Sequence, residues 1–451
     1  MKNLFLCIAC LFVFNCFGQE VQSLELLKTN MEKFKPIGES NGFLYYYVPN
    51  RGAGGLKIEI YKIKESTFEL VDRKIVDVEV TGRKVFLNED NAAMKAYFKN
   101  NKFYFFYCMA SSGDFYVYLT TMDESFANMK TTEIGVMEGV ERNYFGFLYV
   151  DLSPDFKSAI VTLKNTCESR SKARIAYTIV YENTELVYVD LINEKIVYSK
   201  RLPIELDKLR YMTKDYITDN EGNITFIASI VKREIIAGTI FLSGIGVGYF
   251  KKSDETMSVK EIDIKGSKTI YYSIVKNKKG NIFHTQKLND DVVYKIQPLD
   301  KSKKMIEVKG YYLNHVSTDD GNLVENENNF IFLNDNLEEV RKINKKDIFN
   351  LPKEASSLTN SREYSLKNKT FFIWGEAKAS ELSEKDKNTK NTFMCSVDEN
   401  GIVKTKRLIN DNLIYEFDFS SEDYVSDAGN LYTEVWDSKK RILFLKQIPL
   451  K

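Results

Sequence analysis

Apolar and polar residues alternate through most of this chain. In Asp114-Phe115-Tyr116-Val117-Tyr118-Leu119-Thr120, one face carries Phe115, Val117 and Leu119 and the other Tyr116, Tyr118 and Thr120, the two-residue period of a strand with a buried face. The preceding run, 102–109, is nearly all aromatic or apolar, and Ser111-Ser112-Gly113 predicts a hairpin joining the two. Further strands are expected at 43–48, 56–63, 175–181, 186–192, 224–231, 371–374 and 442–445. Helical spacing is confined to residues 21–34, where Leu24, Leu27, Met31 and Phe34 lie near one face. The polar segment 376–392 reads as a long exposed hairpin loop, and 165–174 as a shorter one. The pattern is that of an all-β chain.

A turn recurs between these strands. Asp219-Asn220-Glu221-Gly222-Asn223-Ile224 returns as Asn277-Lys278-Lys279-Gly280-Asn281-Ile282, as Thr318-Asp319-Asp320-Gly321-Asn322-Leu323 and as Ser426-Asp427-Ala428-Gly429-Asn430-Leu431. Asp398-Glu399-Asn400-Gly401-Ile402 is a degenerate fifth copy. The opening side chain caps the turn, and glycine takes the positive φ that lets the chain reverse into the next strand.

Upstream, Leu152-Ser153-Pro154-Asp155-Phe156-Lys157-Ser158 resembles the Ser-Pro-Asp-Gly-Lys turn of TolB-like β-propeller repeats, with Phe156 where glycine is usual. Leu186-Val187-Tyr188-Val189-Asp190-Leu191-Ile192-Asn193-Glu194-Lys195 resembles the next hairpin of such a blade. The resemblance implies a β-propeller of four-stranded blades, and chain length then suggests about seven of them, six to eight fitting as well. Tandem β-sandwiches are the alternative, but no break rich in Gly, Pro or Ser divides the chain. No functional family follows from these motifs.

The start of the chain changes the picture of where it works. Lys2, the uncharged run 4–14 and the small residues flanking Phe17 in Cys16-Phe17-Gly18 form an export signal over residues 1–18. Residues 19–451 are then a single propeller domain with a short N-terminal extension. The leader resembles those of Gram-negative bacteria, so periplasm, outer envelope or secretion is expected. Acylation of Cys16, which would make a lipoprotein, is the lesser reading. No transmembrane span is expected, because no apolar run reaches about 18 residues.

Lys and Arg total 64 against 63 Asp and Glu, a formal charge of +1. This balance offers no basic footprint for nucleic acid. Three cysteines outside the leader, Cys108, Cys167 and Cys395, allow one disulfide, and buried free thiols are the preferred reading. The only histidines are His284 and His315, too few for a three-histidine metal set. If both strands line the central channel of a propeller, the two could approach each other and, with carboxylates and a divalent ion, serve a lyase or glycosidase.

Asp319-Asp320-Gly321-Asn322 crowds oxygen atoms but lacks the alternating carboxylates and distal Glu of a calcium loop. Gly244-Ile245-Gly246-Val247-Gly248 is read as glycine where sheets approach closely, not as a nucleotide loop. No Gly-x-Ser-x-Gly nucleophile elbow is expected, which excludes an appended serine hydrolase domain on that reading. Tyr45-Tyr46-Tyr47, 103–107, Tyr271-Tyr272, Tyr311-Tyr312 and Trp374 are assigned to packing between sheets.

No catalytic, metal or cofactor residue stands out. The expectation is a non-catalytic binding or scaffold protein of the cell envelope that engages a protein or glycan through a propeller face. The alternative is a glycan-active enzyme using channel-mouth carboxylates and His284 or His315.

Overall fold

The computed structural model describes residues 22–26, 34–51, 56–78, 84–85, 94–111, 114–137, 148–170, 177–202, 205–206, 209–236, 239–253, 255–262, 270–277, 279–288, 293–298, 304–310, 313–318, 321–344, 355–365, 371–379, 391–397, 403–408, 424–437 and 442–449. The export signal expected over residues 1–18, Cys16 and the degenerate turn copy at Gly401 lie outside them.

Among the described residues, eight antiparallel sheets follow one another as meanders. Sheet one is Lys35–Ser40, Phe43–Arg51, Leu56–Lys64 and Glu69–Val78; sheet two is Met94–Lys99, Lys102–Ser111, Asp114–Asp123 and Lys130–Met137, with Lys84–Val85 at its margin. Sheet three is Tyr149–Leu152, Ser158–Arg170, Tyr177–Asp190 and Lys195–Leu202. Sheet four is Leu209–Thr218, Ile224–Ile236, Thr239–Lys251 and Thr256–Ile262, preceded by Glu205–Leu206. Sheet five is Ile270–Lys276, Ile282–Leu288, Val293–Pro298 and Ile306–Lys309; sheet six is Leu313–Thr318, Gly321–Asn326, Asn329–Leu333 and Glu339–Asn344. Sheet seven is Ala355–Ser365, Phe371–Ala379, Asn391–Val397 and Val403–Leu408. Sheet eight takes Tyr424–Val425, Asn430–Asp437 and Ile442–Pro449 from the end of the chain and Gln22–Leu26 from its beginning.

This is a β-propeller, built of antiparallel sheets of four or five strands. Burial follows from the meander. Middle strands are covered on both faces, as in Leu56–Lys64, while fourth strands such as Glu69–Val78 stand exposed over most of their length. Two compact units emerge, one of Met1–Asn50, Ile58–Val76 and Ile348–Lys451, the other of Arg51–Lys57 and Asp77–Asp347. The first holds most of sheet one with sheets seven and eight, and the second holds sheets two to six.

Within the second unit, Phe106, Val117, Val161 and Val189 share a core of sheets two and three, and Ile160, Tyr188, Tyr216 and Phe226 one of sheets three and four. Within the first, Tyr46, Tyr61, Tyr432 and Leu445 pack sheet one on sheet eight. Tyr45, Tyr46 and Tyr47 and all of residues 103–107 are buried, as the packing role requires.

Three sequence expectations fail. Residues 22–26 form a strand and not a helix, because Leu24 pairs with Leu445 and completes a sheet whose apolar face is already built. Tertiary pairing there outweighs local spacing. The runs at 175–181 and 186–192 belong to one long strand, Tyr177–Asp190, whose polar middle pairs on both sides. The first part of the loop expected at 165–174 is strand as well, ending at Arg170. The loop expected over 376–392 is strand at both ends, through Ala379 and from Asn391, with Ala377 opposite Asn391 and residues 380–390 outside those described, and Ser111 opposite Asp114 flanks the expected turn.

Candidate functional site

In a meander, the turns between first and second strands and between third and fourth strands leave each sheet at the same end. Three turn copies build that end as expected. Asp219 Oδ1 accepts the N–H groups of Glu221 and Asn223, both at 2.9 Å, and Gly222 takes φ +83°. Asn277 Oδ1 accepts Lys279 N–H at 3.0 Å and Asn281 N–H at 2.8 Å, with Gly280 at φ +89°. Ser426 plays the same part with Gly429 at +83°.

The copy at Gly321 differs. Thr318 pairs directly with Gly321 in the ladder, so a shorter hairpin forms there. Its glycine is required by packing, since a Cβ would stand 2.1 Å from the Leu333 carbonyl oxygen. Asp319 and Asp320 lie outside the described residues.

These turns are tied sheet to sheet. Asp155 N–H donates to Asn220 Oδ1 at 2.8 Å, and Asp335 accepts from Asn277 Nδ2 and Lys279 Nζ, both at 2.9 Å. Lys102 Nζ reaches Glu194 Oε1 at 2.5 Å. Deeper in the second unit, Lys276 Nζ donates to Asp151 Oδ2 and to the Leu152 carbonyl, each at 2.7 Å, and to the Thr218 carbonyl at 3.0 Å. Thr218 N–H also donates to Asp151 Oδ2. One ammonium thus joins the first strands of sheets three, four and five. Burial pushes the Asp151 carboxyl up, and the Lys276 charge pulls it back down.

Both histidines sit in sheets five and six, with neutral partners. Tyr272 Oη lies 2.5 Å from His284 Nδ1, and Gln297 Oε1 lies 3.2 Å from Nε2. Thr285 Oγ1 is 2.9 Å from His315 Nδ1, and Asn322 Oδ1 is 3.0 Å from Nε2. Burial lowers His284 below its ordinary range and takes His315 down to about 4. Burial also holds the Tyr272 phenol protonated well above its usual range. Each imidazole is thus held neutral between hydroxyl and amide groups, and a protonated phenol is a poor general base.

Cys108 is a buried free thiol, pushed up to about 12 by desolvation; the side chains of Cys167 and Cys395 lie outside the described set. Gly248 faces Phe226, whose ring would meet a Cβ at 2.0 Å, and Gly246 is crowded by Val259 and Lys260. The crowding comes from adjacent strands of the same sheet, Phe226 lying directly opposite Gly248, and not from a close approach of two sheets as expected. Among the described residues, no three His, Cys, Asp or Glu side chains converge as metal ligands, and no helix is long and apolar enough to cross a membrane.

The spacing Gly38-Glu39-Ser40-Asn41-Gly42 does carry the letters Gly-x-Ser-x-Gly, contrary to the sequence expectation. Its structure is a hairpin in which Ser40 pairs with Phe43. A nucleophile elbow needs a strand-to-helix turn that lifts the serine clear of the sheet. The segment instead gives Glu39, whose carboxylate accepts Asp427 N–H across 388 positions of sequence.

A cleft of about 650 Å³ opens between sheets five and six. Ile306, Val308, Ile331, Leu333 and Leu337 contribute apolar lining. Lysine, glutamate and asparagine side chains surround them, Asn326 among them, whose Nδ2 donates to the Lys309 carbonyl at 2.8 Å. No sequence motif marks this cleft, since its lining comes from strand and turn positions scattered over two sheets.

No family model matches the chain, and no curated protein matches it by sequence. Solved structures with similar architecture include dipeptidyl peptidase 4 of Porphyromonas gingivalis, at 10% identity and TM-score 0.48 over 93% of this chain and 59% of that one. Prolyl oligopeptidase B of Galerina marginata matches at 12% identity and TM-score 0.43, over 90% of this chain and 55% of that one. TolB of Acinetobacter baumannii matches at 11% identity and TM-score 0.29, over 90% and 80%. The chain spans little more than half the length of the prolyl oligopeptidase, and these likenesses concern architecture alone.

Proposed function

We propose that this chain is an exported, non-catalytic binding or scaffold protein of the bacterial cell envelope, folded as one propeller domain. Its partner is a protein, engaged as an extended segment in the cleft between sheets five and six. The supporting observation is the cleft itself: about 650 Å³, with an aliphatic floor, in the size range of ligand sites. Sugars favour aromatic platforms, whereas an extended peptide offers alternate side chains to apolar pockets and main-chain groups to an edge strand. Ile306–Lys309 is such an edge. Export rests on the signal expected from the composition of residues 1–18.

The test is selection of random peptides on the immobilised protein, repeated with Ile306→Glu. Enriched peptides carrying alternate aliphatic residues should lose at least about tenfold in affinity, roughly 1.4 kcal/mol, in that variant. Ligands indifferent to the change would remove the cleft from the account.

The glycan-active enzyme reading has one observation in its favour, the 2.5 Å pairing of Tyr272 with His284. It predicts that His284→Asn with His315→Asn abolishes turnover of an envelope polysaccharide in a folded protein. The binding reading predicts unchanged peptide affinity in the same double variant.

A further inference from the structure

The seam between sheets eight and one gathers three carboxyl groups from distant parts of the chain. Glu39 stands near the end of the first strand of sheet one. Glu65 opens the turn between its third and fourth strands, where its N–H donates to the Gly42 carbonyl at 2.9 Å. Asp427 lies in the first turn of sheet eight.

Glu39 Oε1 accepts the backbone N–H of Asp427 at 2.7 Å, which brings the Glu39 carboxyl onto the turn that carries Asp427, and Glu39 Oε2 is buried without a hydrogen bond. Glu65 is held otherwise: its Oε1 accepts from Ser426 Oγ, from Tyr432 Oη at 3.1 Å and from Asn430 Nδ2 at 3.3 Å. Tyr424, on the first strand of sheet eight, is raised first by burial and then by the charges of Glu39, Asp427 and Glu65. The groups that face Glu39 are thus Asp427 and Tyr424 from sheet eight and Glu65 from its own sheet.

Two adjacent carboxylates repel, and one proton between them turns the repulsion into a short charge-assisted hydrogen bond. We propose that Glu39 and Asp427 form a proton-dependent latch, in which protonated Glu39 donates from Oε2 to the Asp427 carboxylate and holds the first turn of sheet eight on sheet one. Losing that proton loosens the seam. Desolvation first, then the charges of Asp427 and Glu65, raise Glu39 to about 7, so the transition falls near neutrality. A carboxyl raised on folding binds its proton more tightly in the native state. Its stabilisation is therefore complete below about 4.5, the ordinary value, and is lost as pH rises through about 7.

The test compares wild type with Glu39→Gln at about pH 5 and about pH 8, by urea unfolding and by amide exchange in Asn430–Asp437. The Gln amide donates at both pH values. From the lower to the higher pH the wild-type midpoint should fall relative to that of the variant, and exchange in this strand should quicken in wild type alone. Asp427→Asn removes the neighbouring charge and should move the wild-type loss to lower pH. Equal pH dependence in wild type and Glu39→Gln would overturn the latch, as would a Glu39→Gln chain less stable than wild type at both pH values.

Discussion

At two left-handed backbone positions of this chain, packing of a large apolar side chain offsets the strain. Phe156 adopts φ +57° at the position where the repeat has glycine, and its ring lies edge-on to Tyr97 and Tyr104 at 6.3 and 5.5 Å. Leu337 does the same at +59°, buried in the cleft between sheets five and six.

Where glycine is kept, the reasons differ. A Cβ on Gly222 would stand 2.6 Å from the Tyr188 ring and 2.8 Å from Lys252, whereas one on Gly280 meets only Pro154 at 3.4 Å. Gly280→Val should therefore cost about 1–2 kcal/mol from backbone strain alone. Gly222→Val adds about 1–3 kcal/mol of overpacking. Denaturant midpoints of the two variants measure the difference, and equal losses would contradict the packing part of the explanation.

His315 makes a second prediction at this scale. Its folded value of about 4 lies below the ordinary 6.5, so the unfolded chain binds the extra proton and native stability falls as pH drops from about 6.5 through 4. His315→Gln should flatten that slope in a urea series, leaving the opposite slope of Glu39 in place. These turn glycines were legible because cap and glycine sit within six residues. The identity of Phe156 as a left-handed residue was not, since nothing in an apolar side chain announces positive φ.

Strands and hairpins announce themselves locally, by alternation and turn chemistry, and most of the strands were readable for that reason. What fastens one sheet to another is not local. Lys276 and Asp151 lie 125 positions apart, and Glu39 and Asp427 lie 388 apart, so no spacing rule connects them. The same limit governs the histidines: Thr285 and Asn322, which occupy the two ring nitrogens of His315, come from two different sheets. The cleft escaped notice because its floor is made of the same aliphatic residues that fill any core.

The Lys276 junction carries the prediction for this scale. The Lys276 and Asp151 side chains are only 14% and 20% exposed, so Lys276→Met leaves a largely buried carboxylate without its cation. The expected loss is about 3 kcal/mol. Replacing both, as Lys276→Met with Asp151→Leu, should restore most of it. A single variant as stable as wild type would mean that the ammonium is dispensable to sheets three, four and five.

At the scale of the whole molecule, the two ends of the chain meet in one sheet. Gln22–Leu26 pairs with the last strand from Gln447 to Leu443, and Leu24 packs on the core that joins sheets eight and one. The segment looked helical because its leucines repeat at helical spacing, yet an edge with unpaired backbone groups captures it as a strand. Deleting residues 22–26 should lower the unfolding midpoint and promote association through the bared edge of Ile442–Pro449. The last strand is thus supported by residues more than 400 positions away.

Ser23 stands opposite Lys446 in this ladder, close enough in a paired sheet for cysteines to bridge. The most direct measurement is therefore disulfide formation in Ser23→Cys with Lys446→Cys under mild oxidation, mapped by peptide digestion. A propeller whose final sheet is completed by its own N-terminal strand predicts an intramolecular bridge in folded but not urea-treated protein, with a rise in stability of up to about 5 kcal/mol. Free thiols, or bridges only between molecules, would contradict it.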